Sequence, residues 1–181
     1  MTDSANTEHI LWLDFEMTGL DAAKDKIIEV AMIVTDWEFN EVASYHSGIG
    51  YDATELEALL NANPFYVKMK ENKQALLSLS GESPAVTVVE KEMTVFIREH
   101  CGSLRPVVLC GNSIHMDRQF IRAQLPLVEQ LLHYRMLDVT AWKLVFEAKY
   151  GKRYVKQETH RALDDVRESI GELKYYLESV S

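Results

Sequence analysis

Two carboxylates, Asp14 and Glu16, sit inside an otherwise apolar run, Ile10-Leu11-Trp12-Leu13-Asp14-Phe15-Glu16-Met17, which ends at Thr18-Gly19-Leu20. Read as a strand, the run alternates its side chains between two faces, so positions 14 and 16 point the same way, about 7 Å apart. On the face of a central strand, two like charges are costly unless something positive sits between them. A divalent ion answers this, because Mg²⁺ and Mn²⁺ take carboxylate oxygens and keep positions open for water and phosphate. On an edge strand the same pair would simply face water. Its meaning therefore depends on partners elsewhere in the chain.

A second run, Ile27-Ile28-Glu29-Val30-Ala31-Met32-Ile33-Val34-Thr35, is β-branched and reads as a strand, and a third strand is expected over 42–49. From Thr54 the texture turns helical, with a break at Asn63-Pro64. Ser83-Pro84 opens another helix, whose apolar stripe is Val88, Val89, Met93, Phe96 and Ile97. Val107-Val108-Leu109-Cys110 is a short buried strand ending at Gly111-Asn112. Helices over 116–124 and after Pro126, a strand over 134–137 and a helix over 140–149 follow. The segment 151–158 is polar and basic and reads as a mobile loop. The last helix is expected over 161–179, with Leu163, Val166, Ile170, Leu173, Tyr176 and Leu177 at core spacing. Strands first, then helices interleaved with short strands, argue an α/β layered domain with one mixed sheet.

The 181 residues fit one domain, 1–181, with residues 1–8 expected to be disordered. The polar start lacks the basic and apolar regions of a secretory signal, and no apolar run approaches the length of a membrane span. Cys101 and Cys110 show no metal-ligand spacing and read as free thiols of a reducing compartment, which points to the cytoplasm. The formal net charge is −9. A protein that grips long nucleic acid neutralises many phosphates with Lys and Arg, and this chain offers no broad basic surface for that. A short phosphorylated substrate fits the charge better.

Three further features join the opening pair. Gly111-Asn112-Ser113-Ile114-His115-Met116-Asp117 follows a strand and opens a helix, which places Asp117 in the first turn. His160-Arg161-Ala162-Leu163-Asp164-Asp165 starts the last helix. Consecutive helical residues diverge by about 100°, so one of Asp164 and Asp165 faces inward and the other out. His160, in polar sequence before that helix, is free to reach over a pocket. Several carboxylates on separate elements and one imidazole suit two-metal phosphoryl hydrolysis, in which anionic ligands hold the ions and a base near neutral pKa takes a proton from water.

Asp14-x-Glu16, Asp117 and His160-x-Ala-x-x-Asp165 resemble the three exonuclease motifs of the DEDDh 3′→5′ exonucleases of the ribonuclease H-like superfamily. The longer runs Trp12 through Leu20, Gly111 through Asp117, His133-Tyr134-Arg135-Met136-Leu137-Asp138-Val139 and His160 through Ser169 are similar to the oligoribonuclease family within that group. The resemblance implies a mixed five-stranded sheet flanked by helices. It implies a homodimer that degrades very short oligoribonucleotides, dinucleotides above all, to nucleoside 5′-monophosphates. It identifies Asp14, Glu16, Asp117 and Asp165 as ligands of two Mg²⁺ or Mn²⁺ ions and His160 as the general base, with Tyr134 beside it among the catalytic residues. Leu20 is implied as a wedge against the bases and Ser113 as a substrate contact. Tyr134 and Arg135 are implied to cap the 5′ phosphate from the partner subunit, and Thr140 adds a hydroxyl to the same phosphate. The chain departs from the family at Asn61-Ala62-Asn63-Pro64-Phe65-Tyr66-Val67-Lys68, where a tryptophan motif is usual. There Phe65 or Tyr66 either supplies a stacking surface for a base or packs in the core.

Two other readings compete. A DEDDh exonuclease that trims longer RNA or DNA 3′ ends would need more basic surface than this composition suggests. A non-catalytic nucleotide-binding or scaffold protein would have no need of every carboxylate and the histidine together.

Overall fold

A computed structural model describes residues 8–102, 104–155 and 161–179. Eight residues of the opening run form β1 (Ile10–Met17) and nine form β2 (Ile27–Thr35). β2 is buried along its whole length, as a β-branched run with apolar residues on both faces requires. β3 (Glu41–Gly48) alternates more and lies at one edge. The sheet order is β3-β2-β1-β4-β5, with β4 (Val107–Gly111) and β5 (Leu132–Asp138) completing it. β1, β2 and β3 pair antiparallel as a meander; β4 and β5 run parallel to β1. This is the mixed five-stranded sheet that the sequence resemblance implies. It also settles the first question about Asp14 and Glu16, because β1 is the central strand.

The helices divide between the two faces. α1 (Ala53–Ala62), α2 (Pro64–Lys68) and α3 (Lys70–Glu82) cover the end of β2, where Leu56, Leu60, Tyr66 and Leu76 pack on Ile28. The Asn63-Pro64 break sits where expected: Asn63 ends α1 and its Oδ1 accepts from Phe65 N to cap α2. α4 (Val86–Cys101), α5 (His115–Gln124) and α6 (Pro126–Glu129) lie on the face that carries Leu11, Leu13 and Phe15. α7 (Val139–Tyr150) and α8 (Ala162–Glu178) cover the other face, where Val139, Ala162, Val166 and Leu173 meet Ile10, Trp12, Ala31 and Ile33.

Side-chain alternation in β1 puts Asp14 and Glu16 on the same face as Ile10 and Trp12, toward α8. The pairing of β1 with β4 ends at Trp12 opposite Cys110. Beyond that point the chain of β4 turns into α5, and Gly111 lets the two backbones approach. A Cβ there would lie 2.7 Å from the Leu13 carbonyl oxygen. Cys101 and Cys110 are both buried and outside any disulfide among the described residues, and burial pushes the Cys101 thiol up to about 12. Among the described residues, no helix is long and apolar enough to cross a membrane.

Candidate active site

At the C-terminal end of β1, Asp14 and Glu16 meet Asp165 from the first turn of α8. One carboxylate oxygen of each lies within 4.8 Å of the others, a separation at which one cation can touch all three. Asp164 is exposed, so the two adjacent aspartates divide as helical geometry demands: Asp165 inward, Asp164 out. Asp117, 4% exposed, comes in from α5. Its Oδ1 accepts a hydrogen bond from Phe15 N at 3.1 Å, an amide left free on the side where β4 has ended. Asp117 is thus tied to the strand between the two other carboxylates.

The electrostatics describe a site short of positive charge. Burial, then the negative charges of Glu29 and Asp165, push Glu16 up to about 7. Burial pushes Asp117 to about 7 as well, against the backbone amides that favour its charged form and with the charge of Asp138 adding to the rise. Carboxylates crowded this way lower their energy by binding either protons or a cation. Three carboxylates in mutual reach and a buried fourth give an all-oxygen donor set, which fits a hard divalent ion. The acidic cluster could therefore hold metal.

Beside the carboxylates, a cleft of about 460 Å³ is lined by Phe15, Glu16, Met17, Gly19, Leu20, Asn63, Phe65 and Tyr66. Leu20 is 70% exposed, yet its loop is braced. Thr18 exchanges backbone and hydroxyl hydrogen bonds with Lys26, its hydroxyl meets Asp25 at 3.0 Å, and Asn63 Nδ2 donates to its carbonyl at 2.8 Å. A bare leucine on a fixed turn is a surface waiting for an apolar partner. Of the two roles open to Tyr66, its placement matches core packing. Its ring is buried in the core under α1 and α3, and its hydroxyl donates to the Met17 carbonyl at 2.7 Å and lies 3.4 Å from Glu16 Oε2. Phe65, packed edge-on against Tyr66, is 45% exposed and supplies the open aromatic face.

On the other side of β1, Ser113 adopts a left-handed φ of 51° at the turn into α5. Its amide donates to Thr140 Oγ1 at 2.8 Å and Asp138 Oδ1 at 3.0 Å, and its hydroxyl is 3.2 Å from that of Thr140. Ser113 and Thr140 are thus brought together. Tyr134 and Arg135 stand on the edge strand β5, both exposed, with the Arg135 guanidinium 5.0 Å from the centre of the Tyr134 ring. His160 lies outside the described residues.

Two residues that sequence reasoning passed over belong to this region. Asp138 caps α7 through Thr140 N while fixing Ser113. Glu29, 1% exposed, stands directly opposite Glu16 across the β1–β2 ladder. The available signal for Glu29 was a single charge inside a strand otherwise built of apolar residues.

The sequence profile of the RNase_T exonuclease family matches residues 11–173. The chain is 38% identical to an oligoribonuclease of Francisella tularensis subsp. tularensis over 172 residues, covering 94% of this chain and 95% of that one. It is also 38% identical to an oligoribonuclease of Corynebacterium glutamicum over 184 residues, covering 97% of this chain and 81% of that one. In fold it is similar to E. coli exonuclease I in complex with a dT13 oligonucleotide, at a TM-score of 0.67 and 15% identity. That match covers 93% of this chain and 40% of the exonuclease.

Proposed function

The chain belongs to the oligoribonuclease family and is a 3′→5′ exoribonuclease, and from that membership we propose that it degrades di- to pentanucleotides to nucleoside 5′-monophosphates by two-metal hydrolysis. The observation that carries the mechanism is the convergence of Asp14, Glu16 and Asp165 within 4.8 Å, with Asp117 anchored beside them. These four would hold two Mg²⁺ or Mn²⁺ ions. Ions so held supply Lewis acidity toward a phosphoryl oxygen and a template for substrate.

The chain's own residues do the rest. His160 takes the proton from the attacking water, a task suited to an imidazole. Leu20 and Phe65 hold the terminal bases by apolar and aromatic contact in the cleft beside Glu16. Ser113 and Thr140 give hydroxyls to the 5′ phosphate. Arg135 offers that phosphate a planar fork, and Tyr134 stands beside it. Tyr134 and Arg135, exposed on the edge strand β5, act on the site of a second subunit. Support for a homodimer comes from the exposed apolar surface on β5 and α7, including Tyr134, Met136, Trp142, Leu144 and Val145. Capping the 5′ end at a fixed distance from the metals sets an upper limit on length, which is why short substrates are favoured. The buried reduced thiols suit the cytoplasm.

The test compares wild-type chain with Asp14→Ala on a labelled dinucleotide, with chelator and after adding Mg²⁺ or Mn²⁺. Metal-dependent release of 5′-mononucleotide by the wild type alone supports the reading. Normal turnover by purified Asp14→Ala refutes the mechanism.

A further inference from the structure

Glu29 takes no part in the chemistry above, yet it is almost wholly buried opposite Glu16. His46 Nε2 on β3 lies 2.6 Å from its Oε1, and Arg161 Nε lies 3.8 Å from the same oxygen. The other oxygen, Oε2, is buried with no hydrogen-bond partner among the described residues. A buried carboxylate with one oxygen unsatisfied is a poor device for stability, since desolvation offsets the gain from its ion pairs. Its position is more telling. Glu29 and its two partners come from β2, β3 and the start of α8, so the carboxylate joins the sheet to the helix that delivers Asp165.

Arg161 is the N-cap of that helix. Its carbonyl accepts from Asp164 N at 2.9 Å and Asp165 N at 3.0 Å, which fixes the first turn. Among the described residues no side chain caps α8, and the Arg161 side chain reaches toward Glu29. The link from Arg161 to Glu29 ties it to the strand opposite Glu16 instead.

We propose that Glu29 and Arg161 are a positioning pair, held in line by His46, that sets the Asp165 carboxylate against Asp14 and Glu16. The inference rests on the metal site proposed above. It makes a prediction opposite in sign to that of charge alone. Arg161 is a cation near a cation-binding site, so by charge alone its removal would tighten metal binding. As a positioning residue, its removal must weaken it.

The experiment titrates Mn²⁺ alone into the full-length chain by calorimetry, with kcat and KM on a dinucleotide measured in parallel. Arg161→Ala is expected to raise the Mn²⁺ Kd about 10-fold or more, the loss usual when a ligand's supporting group is removed. At saturating Mn²⁺ its KM for the dinucleotide should stay within about twofold, because the base and phosphate contacts are untouched. Arg161→Lys should recover part of the affinity. Glu29→Gln should weaken Mn²⁺ too, and the double variant should bind no worse than the weaker single one. Arg167→Ala, on an exposed part of α8 near Glu41, should leave binding unchanged. Glu29→Gln alters a buried group and puts the fold at risk, so Arg161→Ala, about half exposed, carries the test alone. Equal or tighter Mn²⁺ binding by Arg161→Ala overturns the pair, as does multiplication of the two single effects in the double variant. A wild-type chain that takes up no Mn²⁺ removes the metal reading itself, and the pair with it.

Discussion

Stripping the metal should make this fold lose stability as pH rises from about 5 to 8, the reverse of ordinary acid denaturation. Unfolded, the Glu16 carboxyl titrates at its ordinary 4.5; folded, burial and the charges of Glu29 and Asp165 push it up to about 7. The folded state therefore holds this proton more tightly. Its contribution is complete below pH 4.5 and is lost as pH climbs through 7. A carboxyl moved from 4.5 to about 7 corresponds to about 3 kcal/mol at full effect. For a chain of this size that is a fall in Tm of about 6–12 °C. Asp117, pushed by burial from 3.8 to about 7, acts in the same direction. Asp21 and Asp36, held below the usual carboxylate range by local hydrogen bonds, titrate beneath this window. The assay is thermal unfolding by circular dichroism in chelator from pH 5 to 8, repeated with Mn²⁺. Bound metal takes the ionised carboxylates, so the decline should flatten or reverse. A metal-free Tm that stays level or rises between pH 5 and 8 would refute the reasoning.

Three other outcomes follow from the proposed function and the fold. His160→Ala should lower kcat by about 10²–10⁴-fold, the usual weight of a general base, while Mn²⁺ affinity by calorimetry stays near wild type; a matching loss of metal binding would make His160 a ligand instead. Arg135→Ala should cost about 10- to 100-fold in kcat/KM on a 5′-phosphorylated dinucleotide, the weight of a charge-assisted fork, and little on the unphosphorylated one. Mixing Arg135→Ala with Asp14→Ala subunits should restore activity if Arg135 serves the partner's site, and no recovery contradicts that role. Gly111→Ala should destabilise by about 1–3 kcal/mol by urea unfolding, since its Cβ would press on the Leu13 carbonyl at 2.7 Å. An unchanged midpoint would show that β1 and β4 can part without cost.

Local pattern placed most elements within a residue or two. The buried run of β2, the Asn63-Pro64 break and the apolar stripe of α8 each write their structure in a few neighbouring residues. Strand order is a different matter. Nothing in the residues of β4 says that it inserts beside β1 rather than β3, and that placement is what frees Phe15 N for Asp117. Asp14 and Glu16 were legible because charge in an apolar strand stands out, whereas Asp117 and Asp165, both in first turns of helices, were picked out only by their motifs. Glu29 carried the same signal but no motif around it. The sequence could not choose between Phe65 and Tyr66, because they are adjacent aromatics with the same composition signal. Which of them faces solvent depends on how α2 rotates against Leu56, Leu60 and Leu76, and that is a tertiary fact.

The central claim is that this site takes very short RNA. Its most direct test is a competition in which one enzyme sample receives a labelled dinucleotide and a labelled RNA of ~20 nucleotides at equal concentration, with products resolved over time by gel. With a net charge of −9 there is little surface to hold a long phosphate chain, and the proposed cap on the 5′ end would exclude one. The account predicts that the dinucleotide is consumed first and the long RNA persists. Preferential shortening of the long RNA from its 3′ end would contradict it and mark the chain as a trimming exonuclease.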